Sequence, residues 1–295
     1  MRPVLLPLIE RRTHAGLVRR GFAAKSAPTE LGRVHYYEAR GTGALPPALF
    51  LHGIGAASAG YAPVLGRLCA QLRGVTAVDH LGHGRSDDPA HGFTPERLLD
   101  AATAALDAIV REPVTLVGNS LGGYVAVEYA VRRPDRVRAL VLLSPAGAPS
   151  TPRELDELRA AFALTSRRRA LELIDRVHHR APLLAHLVAH EAPAQLARRP
   201  AVRELLASIT LDHGLAERDV AALAMPVLLW WGRSEKLLPP SHLAWWRRHL
   251  PPHAVVEEPH GIGHCPHLDD PARVASRIAA ASRDAGAAVH PARVA

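Results

Sequence analysis

The sequence predicts an α/β fold, a doubly wound and mostly parallel sheet, and two observations support this prediction. Short apolar runs bounded by turn residues recur along the chain, as expected of strands that are buried on both faces of a parallel sheet. Stretches with helical periodicity lie between them, and strands that alternate with helices are typical of this class. The predicted buried strands cover residues 48–51, 75–78, 114–117, 139–143, 227–231 and 254–257.

The predicted helices follow from apolar periodicity and from their start signals. Thr94 and Pro95 have the residue types of a helix cap and a first helical position. Ahead of the first buried strand, residues 33–38 alternate like an exposed antiparallel strand, and residues 21–26 are its candidate partner. The predicted helices cover residues 58–72, 94–110, 120–132, 241–250 and 271–281.

One long insertion interrupts the alternation of strands and helices. Residues 149–212 hold no strand signal, only helix-like segments rich in alanine, leucine and arginine. We expect a helical cap here, inserted between the fifth and sixth parallel strands and folded over the carboxyl edge of the sheet, where ligands bind. The core would then comprise residues 29–148 and 213–285, with an N-terminal arm at 1–28 and a flexible tail at 286–295.

The charge of the chain raises the question of an anionic partner. The formal net charge is +8, and only two of the 36 basic residues are lysines. The arginines are scattered and do not alternate with aromatic residues, so we expect a solvated basic surface and no nucleic-acid partner. Weak peripheral membrane contact through this surface or through the N-terminal arm stays open, and so does the oligomeric state.

The cysteines and the N-terminal apolar run bear on compartment and cofactors. Cys69 and Cys265 form no disulfide framework and have no metal-ligand spacing. The apolar run at residues 4–9 is interrupted by proline and is shorter than a signal-peptide core of roughly 7–15 residues. We therefore expect a soluble, cytoplasmic protein, and we expect neither a metal ion nor a cofactor.

The most informative stretch is Gly118-Asn119-Ser120-Leu121-Gly122, which directly follows the apolar run at 114–117. Its composition predicts a strand, a sharp turn and a helix, with the Ser120 hydroxyl at the bend. The two glycines permit the strand and helix to cross closely, and the helix start directs N–H groups at developing negative charge. By itself the pentapeptide is also compatible with a glycine-rich turn and an incidental serine.

Four further motifs accompany this turn, and they occur in a recognisable order. The motifs are His52-Gly53-Ile54-Gly55, the glycine-rich loop from Asp79 to Asp87, the loop from Trp230 to Pro239, and Gly261-Ile262-Gly263-His264. Together with the serine turn they make residues 30–281 resemble capped α/β-hydrolases of the esterase, lipase and C–C hydrolase type. The aspartates and His83 of the second motif suggest a metal site at first sight, but its spacing favours a tight structural loop.

The resemblance implies a role for each matching residue. Ser120 would be the nucleophile, His264 the general base, and Glu235 the acid that orients His264. Backbone N–H groups of Ile54 and Leu121 would form the oxyanion hole. The supporting motif residues would be His52, Gly53, Gly118, Asn119 and Gly122.

The acid is the point at which this sequence departs from the family pattern. The family usually has aspartate where this chain has Glu235. Glutamate is chemically competent but one methylene longer, so its loop must lie slightly farther back. Asp212 and Asp219 remain alternative acids at this point.

The implied activity is that of a serine hydrolase acting on a small-molecule carboxylic ester. The apolar insertion favours apolar acyl esters or monoacylglycerol-like lipids, whereas dehalogenases and epoxide hydrolases of this fold place an aspartate at the turn. Two alternatives stay open. One is a C–C hydrolase of aromatic ring-cleavage products, from which Ile54 and Cys265 depart, and the other is a non-catalytic small-molecule binding protein on the same fold.

Overall fold

An eight-stranded sheet organises the described residues, 3–89 and 92–289, of the computed structural model. Its strands run in the spatial order β1-β2-β4-β3-β5-β6-β7-β8. Strand β2 pairs antiparallel with both of its neighbours, β1 and β4, and the six strands from β3 to β8 are parallel to one another. The strand bounds are β1 (Ala23–Thr29), β2 (Gly32–Arg40), β3 (Ala48–Leu51), β4 (Gly74–Val78), β5 (Val114–Asn119), β6 (Val137–Leu143), β7 (Val227–Trp230) and β8 (Val255–Glu257).

Helices cover both faces of this sheet, as the doubly wound prediction requires. The helix bounds are α1 (Leu5–Arg19), α2 (Ala62–Leu68), α3 (Pro95–Ile109), α4 (Leu121–Arg132), α5 (Pro152–Phe162), α6 (Arg167–Val177), α7 (Leu183–Val188), α8 (Ala192–Ala197), α9 (Pro200–Ser208), α10 (Glu217–Ala221), α11 (Pro240–His249), α12 (Pro266–Asp269) and α13 (Pro271–Val289).

The central strand β5 shows why the sheet needs both helical layers. All six of its residues are buried. Successive side chains of a strand point to opposite faces, so Leu116 packs into the layer that contains α3 and α4, whereas Val117 packs into the layer that contains α2 and α13. A strand of this kind is apolar on both faces, and this is the pattern from which the parallel sheet was predicted.

The fold class and the edge hairpin are confirmed. The strands β1 and β2 pair with Ser26 opposite His35, close to the predicted partners. Helix α3 begins as predicted, with Pro95 in its first turn and the Thr94 hydroxyl accepting the Arg97 N–H. None of the helices in the described part of the chain is long and apolar enough to cross a membrane.

Three details of the predicted organisation differ from the structure. The helical insertion occupies the predicted stretch of sequence between β6 and β7, but these are the fourth and fifth parallel strands of the sheet rather than the fifth and sixth. The segment assigned to a flexible tail continues helix α13 through Val289, and residues 290–295 lie outside the described residues. The N-terminal arm contains helix α1, and its last residues already belong to the sheet as β1.

A buried carboxylate, Asp79, holds together the glycine-rich loop that follows β4. It accepts the backbone N–H groups of Ser58 and Arg85 at 2.7 and 3.0 Å and the Nδ1–H of His35 at 2.9 Å. Burial alone would raise the pKa of Asp79, but these hydrogen bonds and the nearby His52 outweigh burial and lower it. The motif that resembled a metal site is therefore a structural loop built around one ionised carboxylate.

We predict that Asp79→Asn lowers the free energy of unfolding by about 3 kcal/mol, because an amide nitrogen would face N–H donors at a buried site. The matched control is Asp87→Asn. Asp87 forms an exposed ion pair with Arg33, so this substitution should lower the free energy of unfolding by at most about 1 kcal/mol. Urea denaturation at neutral pH measures both values.

The pH dependence gives a second readout of the same prediction. Because the native pKa of Asp79 is lowered, its contribution is complete above an unfolded-state pKa of about 3.9 and is lost as the pH falls below it. Equal losses in the two variants, or a stability difference that does not shrink in acid, would contradict this account.

Candidate active site

Ser120 occupies the sharp turn between β5 and α4 in a strained backbone conformation. Its φ and ψ are 53° and −118°, in the region that non-glycine residues rarely adopt. A Cβ added to Gly118 would lie 2.3 Å from the Gly122 carbonyl oxygen, and one added to Gly122 would lie 2.2 Å from the Leu51 carbonyl oxygen. Glycine is therefore required at both positions, and the predicted serine turn is present.

His264 and Glu235 form a buried pair at the carboxyl end of the sheet. His264 Nδ1 lies 2.9 Å from Glu235 Oε2, and both side chains are almost completely buried. An ionised carboxylate only accepts hydrogen bonds, so the Nδ1–H of His264 is the donor. A neutral His264 ring then has its lone pair on Nε2, where a proton can be received.

Glu235 is held in its ionised form by its surroundings. Its Oε1 accepts the backbone N–H groups of Leu237 and Leu238 at 2.8 and 3.0 Å. Burial alone would raise the pKa of Glu235, but the His264 ring and these two N–H groups outweigh burial and lower it. The extra methylene of glutamate is thus accommodated by a loop whose own backbone binds the carboxylate.

The alternative acids lie elsewhere. Asp212 belongs to a short turn at residues 211–213, and Asp219 pairs with Arg218 at 3.5 Å. In the part of the chain that the structure describes, the carboxylate bonded to His264 is that of Glu235.

Ser120 and His264 line the same cavity, which has a volume of about 410 Å³. Gly53, Ile54 and Asn119 line it as well. A Cβ on Gly53 would lie only 3.3 Å from the Ser120 Cβ, so the loop after β3 reaches the serine turn closely. The structure therefore brings the predicted nucleophile, base and oxyanion loop to one site.

Leu121 has a backbone N–H at the start of the helix that follows Ser120. It is the first residue of α4, so its N–H has no acceptor within the helix. Its side chain lines a smaller neighbouring cavity instead.

Asn119 connects the serine turn to the histidine loop. Its Nδ2 donates to the carbonyl oxygens of Leu143 and His264 at 2.8 and 2.9 Å. His52 has a purely structural side chain, because its Nδ1–H donates to the Gly53 carbonyl and its Nε2 accepts the His80 N–H. The motif residues around Ser120 thus position the loops that meet there.

The rest of the cavity wall comes from the insertion and, unexpectedly, from the N-terminal helix. Leu6 and Glu10 of α1 line the cavity, although sequence analysis assigned them no role. Arg199 also lines it and donates from Nη2 to the Gly84 carbonyl at 2.8 Å. The apolar lining residues from the insertion are Phe162, Leu164, Leu173, Ile174, Val177, Leu196 and Val202.

Two observations concern metal ions and thiols. Across residues 3–89 and 92–289, no group of three or more histidine, cysteine, aspartate or glutamate side chains is arranged to hold a metal ion. Cys69 and Cys265 are both free thiols. Burial and the nearby carboxylates of Glu235 and Asp269 raise the pKa of Cys265, so it is protonated at neutral pH.

The sheet, the strained serine turn and the buried carboxylate–histidine pair define an α/β protein of the hydrolase class. The family model described as the alpha/beta hydrolase fold matches residues 46–271, and the chain belongs to this family. The resemblance inferred from the motifs is confirmed.

Relatives with a stated activity include two bacterial proteins. The chain is 33% identical to 2-hydroxymuconate semialdehyde hydrolase of Pseudomonas putida over 65% of this chain and 72% of that protein. It is 32% identical to the protein of the same name from Pseudomonas sp. (strain CF600), over 80% of this chain and 87% of that protein. Among solved structures, carboxylesterase CesB of Bacillus subtilis is 24% identical, with a TM-score of 0.74 over 94% of this chain and 98% of that one. The last comparison supports the fold alone.

We predict that a fluorophosphonate probe labels the wild-type protein at Ser120, because a serine that can pass its proton to a neighbouring histidine is a nucleophile. Ser120→Ala should abolish labelling. Cys265→Ala, which removes a thiol that also lines the cavity, should leave labelling unchanged because that thiol is protonated. Mass spectrometry of the labelled peptide identifies the residue, and labelling that persists in Ser120→Ala would contradict the assignment.

Proposed function

We propose that this protein is a serine hydrolase that cleaves carboxylic esters through an acyl-enzyme on Ser120. The observation on which this proposal depends is that Ser120 and His264 line one apolar cavity, with His264 bonded to the buried, ionised Glu235. A binding protein without catalytic function has no need of an ionised carboxylate buried behind a histidine, because burying that charge costs free energy.

The reaction would follow the order of the acyl-transfer mechanism. The Ser120 hydroxyl oxygen attacks the ester carbonyl carbon while His264 Nε2 accepts the hydroxyl proton. The developing oxyanion is stabilised by the N–H groups of Ile54 and Leu121, each of which contributes roughly 2.7–4 kcal/mol in comparable sites. Protonated His264, stabilised by Glu235, then gives its proton to the leaving alkoxide. A water molecule, deprotonated by His264, then attacks the acyl-enzyme, which releases the carboxylic acid and regenerates Ser120.

The cavity wall supports an apolar acyl group. Its volume of about 410 Å³ lies within the usual range of small-molecule sites, roughly 300–1,000 Å³. Aliphatic side chains of α6, α8 and α9 line the same cavity as Ser120. We infer that the substrate is an ester of an apolar acid or a monoacylglycerol-like lipid. Residues 149–212 would be the cap that encloses it, and the reaction would take place in the cytoplasm.

A second candidate is a C–C bond hydrolase that acts on products of aromatic ring cleavage. The names of the two Pseudomonas relatives support it. So does Arg199, because a guanidinium in a largely aliphatic cavity can pair with the carboxylate of an anionic substrate. The aliphatic wall favours the ester over this alternative.

We predict that the protein hydrolyses p-nitrophenyl esters and that Ser120→Ala abolishes turnover. Glu235→Gln should lower kcat by roughly 10³–10⁴, because glutamine does not hold His264 in the required tautomer or stabilise its charged form. Asp219→Asn serves as the control and should leave kcat unchanged.

Rates across a series of acyl chain lengths would also define the length that the cavity accepts. A loss of less than about tenfold in Glu235→Gln, equivalent to about 1.4 kcal/mol, would mean that another group orients His264. Failure of the wild-type protein to turn over any ester would contradict the proposed ester chemistry.

Arg199→Gln distinguishes the two candidate reactions. If the substrate is a neutral ester, the substitution should change kcat/KM for a p-nitrophenyl ester by less than about threefold. Loss of a hydrogen bond between Arg199 and a charged substrate would have a larger effect, because such a bond contributes roughly 1.5–3 kcal/mol. Arg199→Lys, which retains the positive charge, is the matched control. Turnover of an anionic 2-hydroxy-6-oxodienoate that falls at least tenfold in Arg199→Gln and is partly restored in Arg199→Lys would favour the C–C hydrolase.

A further inference from the structure

Large exposed aliphatic side chains are concentrated at two helix segments. Helix α7 exposes Leu183, Leu184 and Leu187, with Leu183 84% and Leu187 67% accessible. The start of α1 exposes Val4, Leu5 and Leu8, which have the same spacing in sequence as the three leucines of α7. Val4 is 66% accessible. A cluster of highly exposed aliphatic side chains indicates an interaction surface.

A buried carboxylate brings the two segments together. Glu191 lies three residues beyond the end of α7 and is only 4% exposed. Its two oxygens accept the backbone N–H groups of Val4, Leu5 and Leu6 at 2.8–2.9 Å. These are the N–H groups at the start of α1, which have no acceptor within the helix. The exposed side chains of α1 and α7 therefore belong to one region, which we call the apolar rim (Val4, Leu5, Leu8, Leu183, Leu184 and Leu187).

The apolar rim borders the cavity that contains Ser120. Leu6, which lies between the exposed residues of α1, lines that cavity, and so does Ala192, the residue after Glu191. Leu268 lines the cavity as well and is 45% exposed. The rim is thus next to the cavity wall, although its own six side chains are not part of that wall.

The segments that form the rim also contain the excess positive charge of the protein. Residues 1–20 include five arginines and one acidic residue. Residues 163–199 include seven arginines and three acidic residues. Together these two segments have a net charge of +8, equal to that of the whole chain, so the remaining residues are neutral overall. Arg11, Arg12, Arg176 and Arg180 lie beside the rim in sequence and are exposed.

We propose that the apolar rim is a docking surface for an anionic phospholipid bilayer. Exposed leucines flanked by arginines fit both layers of such a surface, because aliphatic groups enter the acyl boundary while cations contact the headgroups. A second copy of this chain would have to bring two surfaces of equal positive charge together. A nucleic acid would leave the leucines in water. The bilayer is the one occupant that matches both the apolar and the charged groups.

Vesicle sedimentation of the full chain tests this proposal without depending on any catalytic activity. The wild-type protein should sediment with phosphatidylcholine vesicles that contain phosphatidylglycerol, and much less with phosphatidylcholine alone. Added salt should weaken the binding, because it screens the arginines. The variant with Leu183→Ser, Leu184→Ser and Leu187→Ser should lose at least about tenfold in partition coefficient, since it removes most of the apolar area of α7.

The control variant replaces three other exposed aliphatic residues, which lie outside the rim. The variant with Val18→Ser, Val131→Ser and Val255→Ser should retain wild-type partitioning. Both variants should keep the wild-type rate on a short water-soluble ester, because none of the substituted residues lines the cavity. A shared loss of binding in the two variants, or equal binding to neutral and anionic vesicles, would overturn the proposal.

Two further measurements keep the proposal falsifiable if the leucine variant folds poorly. Leu184→Trp retains an apolar side chain, and its fluorescence emission should shift to shorter wavelength when anionic vesicles are added. An unchanged emission spectrum would count against docking. Sedimentation velocity without vesicles addresses the competing occupant, because a dimer that dissociates in the α7 variant would assign the rim to a second copy instead.

Discussion

The close crossing of strand β5 and helix α4 is the constraint on which the site depends. Gly122 packs so tightly against the Leu51 carbonyl that a side chain cannot be added there without a shift of the backbone. The crossing holds Ser120 at a positive φ and brings the loop after β3, with Gly53 and Ile54, against it. A looser crossing would relieve the strain at Ser120 but would separate the serine from the N–H groups of that loop. The strain is therefore part of what assembles the candidate site.

Three buried carboxylates then connect the loops at the carboxyl edge of the sheet. Asp79 organises the loop after β4, and Glu235 binds both its own loop and His264. Asp269 accepts the backbone N–H of Gly263 beside the histidine and that of His179 in the insertion. Each charge is satisfied by several N–H donors, which offsets the cost of burial. The histidine loop and the insertion are thereby held in one arrangement, so the covering helices and the base share a common support.

Much of the fold and of the site was predictable from short stretches of sequence. The turn at Ser120 was predictable because its geometry is local, as glycine spacing and a preceding apolar run specify a turn at the end of a strand. The roles of Ile54 and His264 were implied by the resemblance of their motifs to those of capped α/β-hydrolases. The parallel strands were predictable because burial on both faces requires a continuous apolar run. The insertion was predicted at its observed place in the chain, after the strand at 139–143, and only its number among the parallel strands was wrong. The tail was placed too early, because helix α13 continues past the last strong apolar signal.

The sequence by itself determined the fold class, the strained serine turn and the residue types available for acyl transfer, since each depends on neighbours only a few positions away. Only the tertiary structure decided which carboxylate meets His264, because Glu235, Asp212 and Asp219 are all near the correct place in the chain and differ in three-dimensional position. It also decided that α1 forms part of the cavity wall. That contact depends on hydrogen bonds between Glu191 and backbone groups more than 180 positions away, and no local pattern encodes a contact at such a separation.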